Sequence, residues 1–501
     1  MPGRAGPKPL AMARRPFLPV LRSCFLAGCL GLAACSGSDG SFDVAFMDSE
    51  DNLFDTGVRL SESGQHVLAA TRSGLVALNA QGEVVPALAD RWNVTDGGSI
   101  FVFRLRDGTW PNGEELTAES VRTALNRAIR SLRGTSLGLD LAPVDEVRAM
   151  AGRVVEIRVA SPMPDLLQLL AQPELGLVSG EGETGPMVLV RDENGAVLSM
   201  RPPRERGLPD EEEWQSRVRD IHLHALDAAE AIERFGDGEI EVVLGGDLAS
   251  LPLADTGPLS RGTVRLDPVI GLFGLQVMRD SGLLATPELR EAIALAIDRP
   301  ALASAFNIGG WVPTSRLVAP GLSDDPGLVT ERWTGLSMEE RRNVAAARLA
   351  GAAPGEVPRL SVAIPDTPGH RLLFAELRSQ LAQVGVGLVR AESAAEADLQ
   401  LVDRIARYGS ARWFLNQFNC QLDRGLCSEE ADRMAGRALD ERDTVRRALL
   451  LGEAEAALTS SNIYIPFGSP LRWALVRGNV EGFASNRWAF HPLPDMAVLP
   501  R

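Results

Sequence analysis

Lys8 is the only lysine in the chain, so arginine carries nearly all of the positive charge. We read this as a coding bias and attach no function to it. Histidine is also scarce: of five residues, His66, His370 and His491 stand alone in the sequence. No G-x-S-x-G, P-loop or H-E-x-x-H motif occurs, which removes the common nucleophilic, phosphate-cradling and zinc-hydrolase signatures. The chain therefore reads as no enzyme, with no catalytic residue and no cofactor implied. After residue 35 no stretch reaches the roughly 20 uncharged apolar residues of a membrane span. Positive charge is in deficit too, with 66 Asp and Glu against 51 Lys and Arg and a formal charge of −15. Residues 1–34 hold five basic residues and no acid, so cleavage there would leave −20. Such a chain is a poor partner for nucleic acid or for a polybasic membrane contact.

What is present is an ordinary globular composition, 45% hydrophobic and 23% charged, over 501 residues. That length suggests two or three domains. The N-terminus is targeting sequence. A basic region ends at Arg22, an apolar run follows to Ala34, and Leu32-Ala33-Ala34-Cys35 resembles a lipobox. On this reading 1–34 is a lipoprotein signal peptide, Cys35 is diacylated, and 35–41 is a flexible tether. Two acyl chains meet the requirement for stable anchoring. The alternative is an ordinary cleaved signal with an incidental cysteine. Ser36 supplies no inner-membrane retention aspartate, so either membrane can hold the anchor. Arg14-Arg15-Pro16-Phe17-Leu18 resembles a twin-arginine export motif. Of the remaining cysteines, Cys420 and Cys427 flank six residues, and either a disulfide or two free thiols fits that spacing.

The most informative stretch is 86–132. Phe101, Phe103 and Leu105 alternate with Val102, Arg104 and Arg106, which predicts a half-buried strand. Trp110-Pro111-Asn112-Gly113 is turn chemistry, placed at most near the rim of a cleft. Thr117 stands where an N-cap belongs, with Glu119 in the first turn and Val121, Ala124, Leu125, Ala128, Ile129 and Leu132 at helical spacing. Further strands are predicted at 154–159, 269–277, 360–364 and 386–389. Thr286-Pro287 opens a helix, and Ser337 to Glu340 forms a capping box. His222 and His224 share a strand face but lack a third ligand nearby, so no metal is assigned.

The stretch 86–132 resembles the P-x-L-A-x-x-W…F-x-L-R-x-G…L-T-A-x-x-V region of the family 5 extracellular solute-binding proteins. This is the oligopeptide/dipeptide-binding class of ABC importers. The matches are Pro86, Leu88, Ala89, Trp92, Phe103, Leu105, Arg106, Gly108, Gly113, Leu116, Thr117, Ala118 and Val121. Leu289-Arg290, Ala292 and Ala296-Ile297-Asp298-Arg299 match a second element, and Gly482 and Asn486 a closing one.

The resemblance implies an α/β fold of the periplasmic binding protein type II kind, with two large α/β lobes around a cleft plus a small extra α+β lobe. It divides the chain into lobe I (42–74, 179–268 and 466–501), the small lobe (75–178) and lobe II (269–465). The span 133–153 looks trimmed. The family's W-x-x-D-Y stretch, whose acid holds a ligand amino group, falls here on Arg404 to Tyr408, with Arg407 in the place of the aspartate. A guanidinium favours a carboxylate or phosphate, unless the loop is remodelled and Arg407 faces solvent. The implied ligand-binding residues are Arg407, Tyr408, Trp413 and Asn416. The implied function is capture of a peptide or peptide-like solute, one that can be anionic, for an ABC permease. The monomeric protein would be held in the periplasm on a lipid bilayer by acylated Cys35. The alternative is an envelope lipoprotein acting as an interaction or sensing module without import.

Overall fold

The structure is a computed structural model that describes residues 41–179, 182–192, 195–254, 262–306, 311–352 and 357–499. The signal peptide expected over 1–34 and the lipidation expected at Cys35 lie outside the described residues, as does the expected tether up to residue 40. Ser41 already opens a strand.

The first large lobe is built on a seven-stranded sheet. Its strands run in the order Val264–Asp267, Arg472–Val476, Val242–Asp247, Ser41–Met47, Asp220–Leu226, Gly195–Met200, Met187–Asp192. At its centre Ser41–Met47 pairs in parallel with both neighbours. Phe42, Val44 and Phe46 bury one face and Ala45 the other. Burial on both faces is what a central parallel strand requires.

A second sheet carries the other large lobe in the order Gly387–Arg390, Arg359–Ala363, Leu399–Ile405, Gly271–Val277, Tyr464–Gly468. The strand Leu399–Ile405 was not foreseen. It joins the β-α-β unit around the helix Pro368–Ala382 to the antiparallel half of the sheet. Polypeptide crosses between the two sheets twice, through 268–270 and 469–471.

The small lobe is a four-stranded antiparallel sheet, Ala89–Thr95, Ile100–Leu105, Val154–Val159, Val144–Met150. The alternation read at Phe101, Phe103 and Leu105 is the buried face, each at most 1% exposed. The helix Ala118–Ser131 starts at Thr117, whose side chain accepts from the Ser120 backbone, and Ser120 completes the box in return. Val144–Met150 falls inside the span read as trimmed. Only Val147 along it is fully buried, so the strand carries neither a clean period of two nor a helical one.

Apolar packing does not stop at the lobe boundary. Phe101, Phe103 and Leu125 of the small lobe belong to one contiguous cluster with Tyr408, Trp413, Phe414 and Phe418 of the second large lobe. Each buried aromatic there contributes on the order of 2–3 kcal/mol. The small lobe is therefore fastened to the second lobe as well as to the first.

Candidate functional site

A cavity of about 460 Å³ opens where all three lobes meet. Lobe I lines it with 58–62, Gln65, His66 and 488–490, and the small lobe with Leu78, 135–137, Asp140 and 172–174. Lobe II supplies 403–407, Trp413, Gln417 and Arg424. A larger cavity of about 520 Å³ lies between lobe I and the small lobe and takes no residue from lobe II. Trp110, Pro111 and Gly113 line that second cavity and not the three-lobe cleft, which corrects their expected place at its rim. Trp110 is buried and donates to the Ser120 hydroxyl at 2.8 Å, a bond within the lobe. Of these two cavities the three-lobe cleft is the one walled by both large lobes, so that cleft is the candidate site.

Local chemistry positions each wall. The helix Glu62–Thr71 begins at Ser61, which accepts from the Gly64 backbone, and its first turn aims Glu62 into the cleft. His66, one turn on, donates through Nδ1 to the Glu62 carbonyl at 2.7 Å and accepts the His491 backbone at 3.0 Å. Burial and the neighbouring His491 push its imidazole down to about 3. It stays neutral and stacks on Phe490, centroids 4.9 Å apart. Trp488 is held by the turn at Gly82. Gly82 has φ +75°, its carbonyl accepts from the Trp488 indole at 3.1 Å, and a Cβ there would lie 2.6 Å from that ring.

The acidic groups of the cleft are each answered by a partner. Arg472, just after the second crossing, grips Glu62 with two bonds of 2.7 Å and reaches Asp403 at 2.8 Å. Burial works to raise Glu62, but Arg472 overrides it and the carboxyl sits below its ordinary value. Asp403 has a less complete partnership and the charges of Asp247 and Glu62 nearby. Burial pushes it up to about 6, with Arg472 opposing.

The residues singled out from the sequence separate into two groups. Arg407 and Trp413 line the cleft. Arg407 donates to Gln172 Oε1 at 2.9 Å and to Glu174 Oε1 at 2.8 Å, while Gln172 donates back to its carbonyl at 3.1 Å. Its guanidinium is thus engaged by the small lobe and is not turned to solvent. Tyr408 and Asn416 lie behind the wall, outside the residues lining the cleft. Both donate to Asp140 Oδ1, at 2.9 and 2.6 Å. Burial pushes the Asp140 carboxyl up to about 6, the Arg412 charge opposing.

Sequence reasoning passed over Asp140, Gln172, Glu174, Glu62 and Arg472, whose partners are all distant along the chain. It also passed over Arg404 and Arg424, although Arg404 carried a signal. The W-x-x-D-Y frame that sets Arg407 opposite the aspartate sets Arg404 opposite the tryptophan.

Cys420 and Cys427 are joined as a disulfide, Cα atoms 5.2 Å apart, closing the loop that carries Arg424. His224 bonds Asp43 at 2.6 Å, with His222 at 3.9 Å from the same carboxylate. Among the described residues no group of three or more His, Cys, Asp or Glu could hold a metal ion.

Known proteins agree with this architecture. The crystal structure of Haemophilus influenzae OppA in complex with RPPGFSPFR superposes with a TM-score of 0.77 at 16% identity, covering 92% of this chain and 99% of that one. The dipeptide-binding protein DppE of Bacillus subtilis is 21% identical over 497 residues, 86% of this chain and 89% of its own length. The probable deoxycholate-binding periplasmic protein YgiS of Escherichia coli is 31% identical over 120 residues, and the match spans 22% of its length. The family described as bacterial extracellular solute-binding proteins, family 5 Middle, matches residues 83–418. With two large lobes, a small extra lobe and a cleft where they meet, this chain belongs to the bacterial extracellular solute-binding proteins of family 5.

Proposed function

We propose that the chain is the substrate-binding lipoprotein of an ABC importer, capturing a peptide or peptide-like solute in the three-lobe cleft and delivering it to a permease. The observation that carries this reading is the pair of short crossings at 268–270 and 469–471, placed beside a cavity walled by both large lobes. A solute touching both walls binds the closed form more tightly than the open one, and that differential affinity shifts the population a permease reads. DppE is named a dipeptide-binding protein and Haemophilus influenzae OppA was solved with RPPGFSPFR; both support a peptide-like solute. Trp413 and Arg407 contact the solute, and Tyr408 and Asn416 act behind them by fixing Asp140. Cys35 bears the lipid, and the protein works as a periplasmic monomer, a receptor and not an enzyme.

The test is native mass spectrometry of the mature protein purified from its own cells, followed by calorimetry with whatever solute it carries. A peptide-like mass that binds stoichiometrically, and whose addition changes the emission of the cleft tryptophans Trp413 and Trp488, is the expected result. A protein that carries nothing and responds to no peptide would overturn the reading.

A further inference from the structure

The cleft contains an imbalance that its internal pairings do not remove. Each of its carboxylates has partners: Arg472 for Glu62 and Asp403, Arg407 for Glu174, and Tyr408 with Asn416 for Asp140. Three of its arginines have none of the opposite charge. Arg59, Arg404 and Arg424 all line the cavity, and among the described residues no carboxylate stands within ion-pair distance of any of them.

Arg404 and Arg424 share one neutral acceptor, the Gln417 amide oxygen, at long distances of 3.4 and 3.3 Å. That shared acceptor holds the two guanidinium groups side by side. Gln417 is itself 3% exposed and anchored by a bond from its amide nitrogen to the Trp413 carbonyl. Arg59 comes from the opposite lobe, in the loop ahead of the helix Glu62–Thr71.

We infer that Arg59, Arg404 and Arg424 form the receptor for a carboxylate carried by the solute, so that the acidic end of the ligand docks here and not at Arg407. The inference rests on the reading of the cleft as a solute site and names the chemistry of what it takes. Like charges crowded in a partly dry cavity oppose one another, and an anion reverses the sign of that interaction. The crowding registers on the groups themselves. Burial and the adjacent Arg424 charge push Arg404 down to about 10, and burial together with Arg59 lowers Arg424.

Guanidinium suits the task because its planar fork meets a carboxylate with two parallel bonds. Arg407 lacks the freedom to do so, since Gln172 and Glu174 occupy both of its arms. The placement also couples recognition to closure. Arg59 belongs to lobe I and the other two to lobe II, so one bound carboxylate ties the two large lobes together.

The experiment is calorimetry on the mature protein with matched probes: Ala-Ala-Glu against Ala-Ala-Gln, Ala-Ala-Ala against its C-terminal carboxamide, and glutarate and citrate as carboxylates without a peptide. We expect the acidic member of at least one pair to bind roughly tenfold more tightly. Arg424→Gln and the double variant Arg404→Gln with Arg424→Gln should abolish that preference, so that the acidic and uncharged members of the pair bind each variant equally. Arg424 is half-buried on the short loop closed by Cys420 and Cys427 and has no charged partner to strand among the described residues, so the single variant provides a folded protein should the double variant not fold.

Equal affinity within both pairs, or a preference that survives in Arg424→Gln, would overturn the carboxylate receptor and leave the solute-binding reading intact. Arginine-dependent binding of glutarate or citrate with no peptide bound would sustain the receptor and overturn the peptide reading. No binding of any probe would overturn both.

Discussion

The Arg407 guanidinium lies 2.8 Å from the Glu174 carboxylate and joins the second large lobe to the small lobe through two side chains 233 positions apart. Glu174 is 3% exposed, and its second oxygen, Oε2, is buried without a partner. The carboxylate therefore depends on Arg407 for its charge compensation. A residue that the family frame suggested as a free cation for the ligand is, first, half of an internal clamp.

That dependence is measurable. Arg407→Gln strands Glu174 in the interior, and because Arg407 is itself 24% exposed the loss should be roughly 2–3 kcal/mol, below the range for a fully buried pair. Adding Glu174→Gln removes the orphaned charge and should recover at least half of that loss in a double-mutant cycle. Urea unfolding of the four proteins checks it. Additive losses would mean that the two side chains do not depend on each other.

Asp140 makes stability depend on pH in a direction opposite to that of a salt-bridged acid. Its folded value of about 6 lies above the ordinary 3.8 because burial outweighs the opposing Arg412 charge. Between those values the folded protein keeps a proton that the unfolded chain has lost. The favourable contribution is therefore complete below about pH 4 and is lost as pH rises through about 6. Asp140→Asn keeps an oxygen for the bonds from Tyr408 and Asn416 and does not titrate. Its stability relative to the parent should rise by roughly 2–3 kcal/mol between about pH 4 and pH 7. Parallel stability curves for the two proteins would contradict this.

Gly82 tolerates no side chain, for two independent reasons. Its φ of +75° disfavours an L residue, and a Cβ would meet the Trp488 ring at 2.6 Å. Gly82→Ala should cost about 1–2 kcal/mol and displace a tryptophan that lines the cleft. Thermal unfolding and tryptophan emission report the two effects separately. An unchanged emission spectrum would show that Trp488 is placed by other contacts.

The Cys420–Cys427 disulfide closes a short loop on which Arg424 stands. Replacing both cysteines by serine should cost about 2 kcal/mol through the freed loop, and a larger share of the effect should appear in binding of an acidic probe than in global unfolding. Melting and calorimetry with and without reductant test this. Full retention of acid preference in the reduced protein would mean that Asp432 is enough to hold the loop through its bond to the Cys420 backbone.

Much of the scaffold was legible because its signals are local. The Thr117 cap, the Thr286-Pro287 helix start and the Ser337–Glu340 capping box are decided within four residues. Alternation at Phe101, Phe103 and Leu105 needs only the pleat of one strand. Val144–Met150 escaped because its one buried face is incomplete. Leu399–Ile405 was passed over although it brings both Asp403 and Arg404 to the cleft.

The sequence by itself determined the family, the kinds of element and where most of them begin, since capping, turn chemistry and hydrophobic period act between near neighbours. Only the tertiary structure decided which charges in the cleft are answered and which are left over. Arg472 meets Glu62 across 410 positions, and Arg407 meets Glu174 across 233. Coulomb attraction and desolvation act through space, so pairings of that kind leave no period or spacing in the chain. Arg407 stood out by its place in a motif and proved to be occupied. Among the described residues the neighbouring Arg404 remains without a counter-charge because of where folding left the acids.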